Sequence, residues 1–275
     1  MAINLEHINY GNQINNADTL IIDYDDALVS FCELEIGTFK PVFISQSIIT
    51  ENDNHASLIK AFNYFGITKH AHKNIYINYF NNQFTLCPIT FYSETNKKDL
   101  LQFNCGKIEN DLILTDDITS HIKIIYSIPA SLKSLFNQTF PNHQLKHSAC
   151  VLSQLAVHSE DLGNEDILLN VRDNYIELVL KINNQLICVN QFTIKTEVDV
   201  LYYVLFLMEQ HQLHPKSVLL SVTGNIAINS ELISLLKKHI THVRLARGHK
   251  NLIYKQIEGM PQHYNYALIN RIFCE

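Results

Sequence analysis

Short apolar stretches recur in the same order in the two halves of this chain. Alternation of apolar and polar residues is typical of strands, and an apolar stripe at helical spacing is typical of a helix. The first half reads as three strands, a helix and a fourth strand, at 19–23, 27–34, 40–44, 55–65 and 74–78. The second half repeats this order at 166–170, 175–180, 185–189, 197–211 and 216–220. The repetition predicts an α/β protein of two similar lobes with mixed sheets, facing each other across a cleft.

A polar segment separates the two halves. Residues 158–165 include Gly163 and few apolar side chains, which favours a boundary between domains. We therefore expect an N-terminal lobe at 1–158 and a C-terminal lobe at 159–275. Extra strand-like segments in the first lobe predict an inserted subdomain around 89–120.

The end of the first lobe is less regular than the repeated part. Asp99–Asn104 has the apolar content of a short strand, and we predict an additional strand there. The overlapping segment Thr95–Leu101 is also compatible with a short helix. A helix is predicted at 146–157, where Ala149, Leu152 and Leu155 form an apolar face.

Composition narrows the class of protein. The 275 residues are 47% hydrophobic and 17% charged, as in globular proteins with a sizeable core. The net charge of −6 disfavours a general nucleic-acid binder, because such a protein needs a basic surface. Six cysteines without a CxxC pair fit a reducing cytoplasm, and no apolar run approaches the ~20 residues that span a bilayer. We expect a cytoplasmic protein without a signal peptide or membrane insertion, and the sequence leaves its oligomeric state open.

The densest group of cations lies near the end of the chain. It runs from Lys237 and Lys238 through Arg244 and Arg247 to Lys250. Such a run is more often a solvated helix face than a binding site. We interpret it as a solvated helix face and the turn that follows.

Several sequence runs resemble a known superfamily. They are Phe84–Pro88, Ile122–Ser127 followed by Pro129, His147–Leu155 and Ile167–Leu178. Together with the order of elements, they resemble the actin-like superfamily, which comprises actin, sugar kinases and heat-shock chaperones. The pilus-assembly and secretion branch is the most similar part of it. The resemblance implies an actin-like ATPase fold, in which the two lobes are duplicated ribonuclease-H-like units.

A closer likeness covers nearly the whole chain. Phe84–Pro88, Asp99–Asn104 and Tyr126–Pro129 are similar to segments of an uncharacterised bacterial family, domain of unknown function family 3822. The likeness rests on patterns and includes no invariant catalytic string. It implies a fold and no known activity.

The superfamily resemblance implies two hairpin turns of the type Asp-x-Gly-x-x-Thr/Ser that hold nucleotide phosphates. Glycine lets backbone N–H groups approach the phosphates, and the carboxylate positions Mg²⁺ or water. Asp23 matches the first carboxylate, but Asp25 stands at the glycine position. In the second turn Arg172 stands at the glycine position, and Gly224 alone remains of the Gly-Gly turn on the nucleoside side. These departures argue against ATP hydrolysis.

Asp23, Arg172 and Gly224 are the residues expected to contact a cofactor, on the condition that a nucleotide binds. ATP with Mg²⁺ would then be that cofactor. On the main interpretation we expect no cofactor, no catalytic residue and no metal.

Other chemistries have less support in the sequence. A ribonuclease-H-type nuclease needs acidic partners for Asp23, and the fourth strand at 75–78 offers none. The 14 histidines form no HExxH motif. Cys150 and His147 fall at helical spacing, and we interpret them as part of a buried helix face rather than a thiolate–imidazole pair.

Two functions follow as expectations. The first is an actin-like protein without catalytic activity that acts as a scaffold for an unidentified protein or peptide partner. The alternative is a divergent nucleotide-binding protein, ATPase or kinase-like, that uses the cleft between the lobes. The two hairpin turns distinguish these hypotheses.

Overall fold

The computed structural model describes residues 9–11, 17–49, 54–69, 71–109, 111–158, 165–253 and 261–274. These residues form two compact units. The first lies within Met1–Val151, Lys250–Met260 and Arg271–Glu275, and the second within Leu152–His249 and Pro261–Asn270. The predicted boundary after residue 158 borders 159–164, which lie outside the described residues.

Strands and short helices alternate along the chain. The strands are Asn9–Gly11 (β1), Thr19–Tyr24 (β2), Leu28–Glu35 (β3), Lys40–Ile48 (β4), Asn74–Tyr79 (β5), Phe84–Pro88 (β6), Asp111–Thr119 (β7), Ile122–Pro129 (β8), His143–His147 (β9), Glu165–Val171 (β10), Tyr175–Ile182 (β11), Gln185–Thr193 (β12), Leu219–Gly224 (β13) and His242–Leu245 (β14). The helices are Asn54–Tyr64 (α1), Lys97–Cys105 (α2), Ala130–Thr139 (α3), Ser148–His158 (α4), Glu197–Gln210 (α5), Glu231–His239 (α6) and Tyr266–Asn270 (α7).

The first unit is built on a sheet in the order β1-β4-β3-β2-β5-β9. Strands β2, β3 and β4 form an antiparallel meander, and β5 and β9 continue the sheet in parallel to β2. Every residue of β2 is buried, so both faces of this strand are covered. A parallel return from β4 to β5 requires a crossover, which contains α1.

The second unit repeats this architecture. Its sheet has the order β12-β11-β10-β13-β14. When the strands of each sheet are numbered along the chain and β1 is left out, both sheets have the spatial order third, second, first, fourth, fifth. One apolar cluster joins Leu178 and Leu220 of the sheet to Val204 of α5 and Leu236 of α6. The predicted duplication is confirmed by this shared strand order.

A smaller sheet in the order β6-β8-β7 carries α2 and includes the segment expected to form the insertion. The predicted strand at Asp99–Asn104 is wrong, because these residues belong to α2. Leu101 is fully buried on that helix and packs in a cluster with Cys87 and Ile125. Gly106 ends the helix with φ 80° and donates its N–H to the carbonyl of Gln102.

Two helices show how local sequence sets their ends. At the start of α5, Thr196 Oγ1 accepts the N–H of Asp199 at 3.3 Å, and Asp199 Oδ2 accepts the N–H of Thr196 at 2.9 Å. The helix predicted at 146–157 begins two residues later as α4, because His147 pairs with Tyr79 as the last residue of β9.

Among the described residues, no helix is both long and apolar enough to cross a membrane.

Candidate functional site

The hairpin turn between β2 and β3 is closed by its own carboxylate. Asp25 Oδ1 accepts the backbone N–H groups of Ala27 at 2.8 Å and Leu28 at 2.7 Å. The N–H of Asp25 donates to the carbonyl of Leu28 at 3.0 Å, and the side chain is 5% exposed. Two amides that a glycine turn would offer to an anion are therefore occupied by a buried carboxylate.

Asp23 is the second-to-last residue of β2, and Tyr24 separates it from Asp25 in the turn. It is buried, and its partners across the ladders are Ser30 on β3 and Asn78 on β5. A two-metal nuclease site would require further carboxylates close to this position. The part of the chain that the structure describes contains no group of three His, Cys, Asp or Glu residues that could hold a metal ion.

The turn between β10 and β11 has a matching backbone hydrogen bond and a cation at the position of Asp25. The N–H of Arg172 donates to the carbonyl of Tyr175 at 2.9 Å, as Asp25 does to Leu28. Arg172 Nε lies 3.9 Å from Glu177 Oε2, and its guanidinium lies over the ring of Tyr175 at 5.7 Å. Arg172 therefore interacts with two side chains of its own hairpin.

Glu177 and Asn170 complete this polar group, and sequence analysis did not single them out. Asn170 Nδ2 donates to Glu177 Oε2 at 2.8 Å, and both side chains are buried. They face each other in the ladder at the position that Asp23 and Ser30 occupy in the first unit. An alignment of the two halves of the sequence, residue by residue, would have pointed to both positions.

Gly224 has a structural role that its position after β13 explains. Its φ is 101°, and a Cβ there would lie 2.0 Å from the carbonyl oxygen of Val171. Its N–H donates to the carbonyl of His263 at 2.9 Å, and Thr223 Oγ1 donates to the same oxygen at 2.7 Å. Close approach of β13 to β10 therefore requires glycine, and the amide of this glycine is engaged. Its proposed contact with a nucleotide stays a prediction.

His147 is fixed as a neutral imidazole. Its Nδ1 accepts the N–H of Ala149 at 3.1 Å, so Nε2 carries the proton and donates to the carbonyl of Asn81 at 3.2 Å. Complete burial lowers the pKa of His147 to about 3. Cys150 Sγ donates instead to the carbonyl of Asp117 at 3.6 Å, and burial raises the pKa of this thiol. Neither side chain is placed as a thiolate–imidazole pair would require.

The second unit also buries an ion pair that the sequence analysis did not predict. Lys181 Nζ and Asp166 Oδ2 are 3.9 Å apart, with side chains 0% and 1% exposed. Burial raises the pKa of Asp166 and lowers the pKa of Lys181. None of these charged atoms has a hydrogen-bond partner among the described residues. The pair faces across β10 and β11, where the first unit has Thr19 and Leu34.

Comparisons with known proteins identify the architecture. The model of the family described as "Protein of unknown function (DUF3822)" matches residues 9–243. A Bacteroides thetaiotaomicron protein with actin-like ATPase fold and unknown function is 20% identical, with a TM-score of 0.78 over 96% of this chain and 100% of that chain. The structure of the PilM–PilN type IV pilus biogenesis complex gives 12% identity and a TM-score of 0.62, over 94% of this chain and 98% of that chain. None of the curated proteins matches the sequence.

Proposed function

The chain belongs to the DUF3822 family and has the actin-like ATPase fold, and from its two hairpin turns we propose that it is a binding scaffold without catalytic activity. The observation that carries this proposal is the carboxylate of Asp25 bound to the amides of its own turn. A phosphate at that place would have to displace a buried anion that is already hydrogen-bonded. Repulsion between the two anions opposes this exchange.

The second turn supports the same conclusion by a different route. Arg172 could pair with a phosphate, but its guanidinium is already close to the buried carboxylate of Glu177. The guanidinium also lies over the ring of Tyr175, 5.7 Å from its centroid. Both turns thus carry a charged side chain with partners of its own at the position where phosphate-binding turns have glycine.

A binding role has support on the surface of the second unit. On α5, the side chains of Val198, Tyr202 and Phe206 are 64%, 59% and 40% exposed. They follow each other at a spacing of four residues, so they share one face of the helix. The rings of Tyr202 and Phe206 stack with centroids 6.0 Å apart. A continuous apolar stripe of this kind on a helix favours contact with another protein. The similar PilM structure is that of a protein complex with PilN.

We also propose the cytoplasm as the compartment. All six cysteines are free thiols, and Cys32, Cys87, Cys150 and Cys274 are buried. Buried thiols without disulfides suit a reducing environment.

Co-purification of the full chain from bacterial cells tests the scaffold proposal. We expect a partner protein to be recovered with the unmodified chain, with or without Mg·ATP, and to be lost with Tyr202→Glu. Phe103→Glu is the matched control, because Phe103 is 90% exposed on a helix of the first unit. If Tyr202→Glu recovers the partner as well as the unmodified chain does, the exposed stripe of α5 no longer supports a binding role. ATP hydrolysis by the purified chain that disappears with Asp23→Ala would establish the nucleotide-dependent alternative instead.

A further inference from the structure

The second unit contains a pocket of about 550 Å³ at the edge of its sheet. Ile228, Leu245 and Pro261 provide apolar parts of its lining. Lys237 and the continuous run 244–247 border it from α6 and from the end of β14. This volume lies in the range of ligand-binding pockets and is large enough for several side chains.

The pocket is positively charged. Lys237, Arg244 and Arg247 contribute to its lining, and no aspartate or glutamate among the described residues does. Lys237 and Arg247 are exposed, whereas Arg244 Nε donates to Ser221 Oγ at 3.0 Å. Guanidinium and ammonium groups beside apolar surface suit a ligand that combines carboxylates with apolar side chains. The solvated helix face expected from the sequence therefore contributes to a concave surface.

The same pocket lies along an open strand edge. Among the described strands, β14 pairs only with β13 and ends the sheet. The N–H of Ala246 donates to the carbonyl of Val222 at 2.8 Å, so it points towards β13. Because backbone groups of successive strand residues point to opposite sides, those of Leu245 and Val243 point away from β13.

We propose that this pocket binds an extended acidic segment of a partner protein, which pairs with the edge of β14 and places carboxylates against Lys237 and Arg247. A strand edge supplies affinity through main-chain hydrogen bonds, and side-chain pockets beside it supply specificity. A small anion would use the cations and leave the free edge of β14 without a role. The proposal rests on the proposed scaffold function and names one partner chemistry for it.

A short synthetic peptide of alternating glutamate and valine, labelled for fluorescence polarisation, is the probe. Lys237→Glu and Arg247→Glu should each weaken its binding to the full chain by about ten-fold or more. Lys238→Glu is the matched control: it changes the same charge on the next exposed residue of α6, outside the pocket lining, and should leave binding unchanged. N-methylation of the peptide at alternate residues keeps its charge, removes main-chain donors and should also weaken binding by about ten-fold.

Three results would overturn the assignment. They are equal binding by all three charge variants, equal binding of the N-methylated peptide, and competition by inorganic pyrophosphate at the same concentration as the peptide. The last would make the pocket a small-anion site. If Arg247→Glu still co-purifies the partner that the unmodified chain recovers, the scaffold function stands and the pocket assignment fails. If the unmodified chain recovers no partner, the scaffold function itself fails.

Discussion

The two hairpin turns share one backbone hydrogen bond and carry opposite charges at one position. Asp25 and Arg172 both donate their N–H to a carbonyl three residues later, at 3.0 and 2.9 Å. The aspartate binds amides of its own turn, while the arginine lies beside Glu177 on the neighbouring strand. An anion and a cation therefore replace the same glycine, and each has its own stabilising partners. The difference indicates that the turns were stabilised separately, and a shared phosphate ligand is not needed to explain either residue.

The same alignment extends along the sheets. Tyr24 faces Tyr79 in the first unit, and Val171 faces Gly224 in the second. In the first unit the two tyrosine rings stack with centroids 6.3 Å apart. In the second unit the glycine lets the backbones meet directly. One register position thus accommodates aromatic packing in one unit and close main-chain approach in the other.

Replacing Gly224 should have the largest effect on stability. Gly224→Ala would place a Cβ 2.0 Å from the Val171 oxygen at a φ of 101°, so we expect a loss of about 4 kcal/mol or failure to fold. Gly106→Ala is the control for φ alone, since Gly106 has φ 80° with nothing within 4 Å, and it should cost about 1 kcal/mol. Urea unfolding measures both. Equal losses would show that the contact with Val171 is unimportant.

The buried ion pair should give the next largest effect. Lys181→Leu leaves Asp166 buried without its partner and should cost about 3 kcal/mol in the free energy of unfolding. The double variant Asp166→Thr/Lys181→Leu installs the Thr19–Leu34 combination of the first unit. It should regain most of the loss, as measured by urea unfolding. A double variant that is less stable than the single variant would contradict the equivalence of these positions.

His147 should make the first unit sensitive to acid. Its pKa is lowered to about 3 in the fold, so below its ordinary value the unfolded chain binds a proton that the folded chain does not. The contribution of neutral His147 to the free energy of unfolding is therefore fully present above about pH 6.5. It falls by about 1.4 kcal/mol per pH unit as the pH decreases towards about 3. His147→Gln should remove this part of the slope in denaturant titrations at several pH values. The exposed His121→Gln is the control, and an unchanged slope in the His147 variant would refute the prediction.

The turn residues themselves should give the smallest effects, in a defined order. Asp25→Ala removes the acceptor of two backbone amides and should cost about 1.5 kcal/mol. Asp25→Asn keeps an acceptor oxygen and should cost less. Arg172→Ala removes a contact of 3.9 Å from a partly exposed side chain and should cost about 0.5 kcal/mol. Thermal unfolding measures these losses of stability. A larger loss for Arg172→Ala than for Asp25→Ala would contradict the predicted order.

The repeat could be predicted from the sequence because strand alternation is a local property. Strand positions such as Thr19–Tyr24 and Glu165–Val171 have their apolar content in contiguous runs. The additional strand at Asp99–Asn104 was wrong because a six-residue apolar segment suits a strand or a helix. The burial of Leu101 in the small sheet's cluster is a tertiary feature.

The candidate site could be predicted only in part. Asp25 and Arg172 stand out because they replace a glycine expected at a fixed place. The partner of Arg172 lies on a different strand, so the role of Glu177 depends on the ladder register. The pocket combines Lys237 with Arg247, which are separated in sequence by the end of α6 and the whole of β14. Only the packing of these elements brings the two cations to one surface.

Isothermal titration of the full chain with Mg·ATP tests the central claim most directly. The claim is that side chains at the two glycine positions leave no phosphate-binding turn. We predict no saturable heat of binding for the unmodified chain. Saturable binding with micromolar affinity that is lost with Asp23→Ala would contradict it.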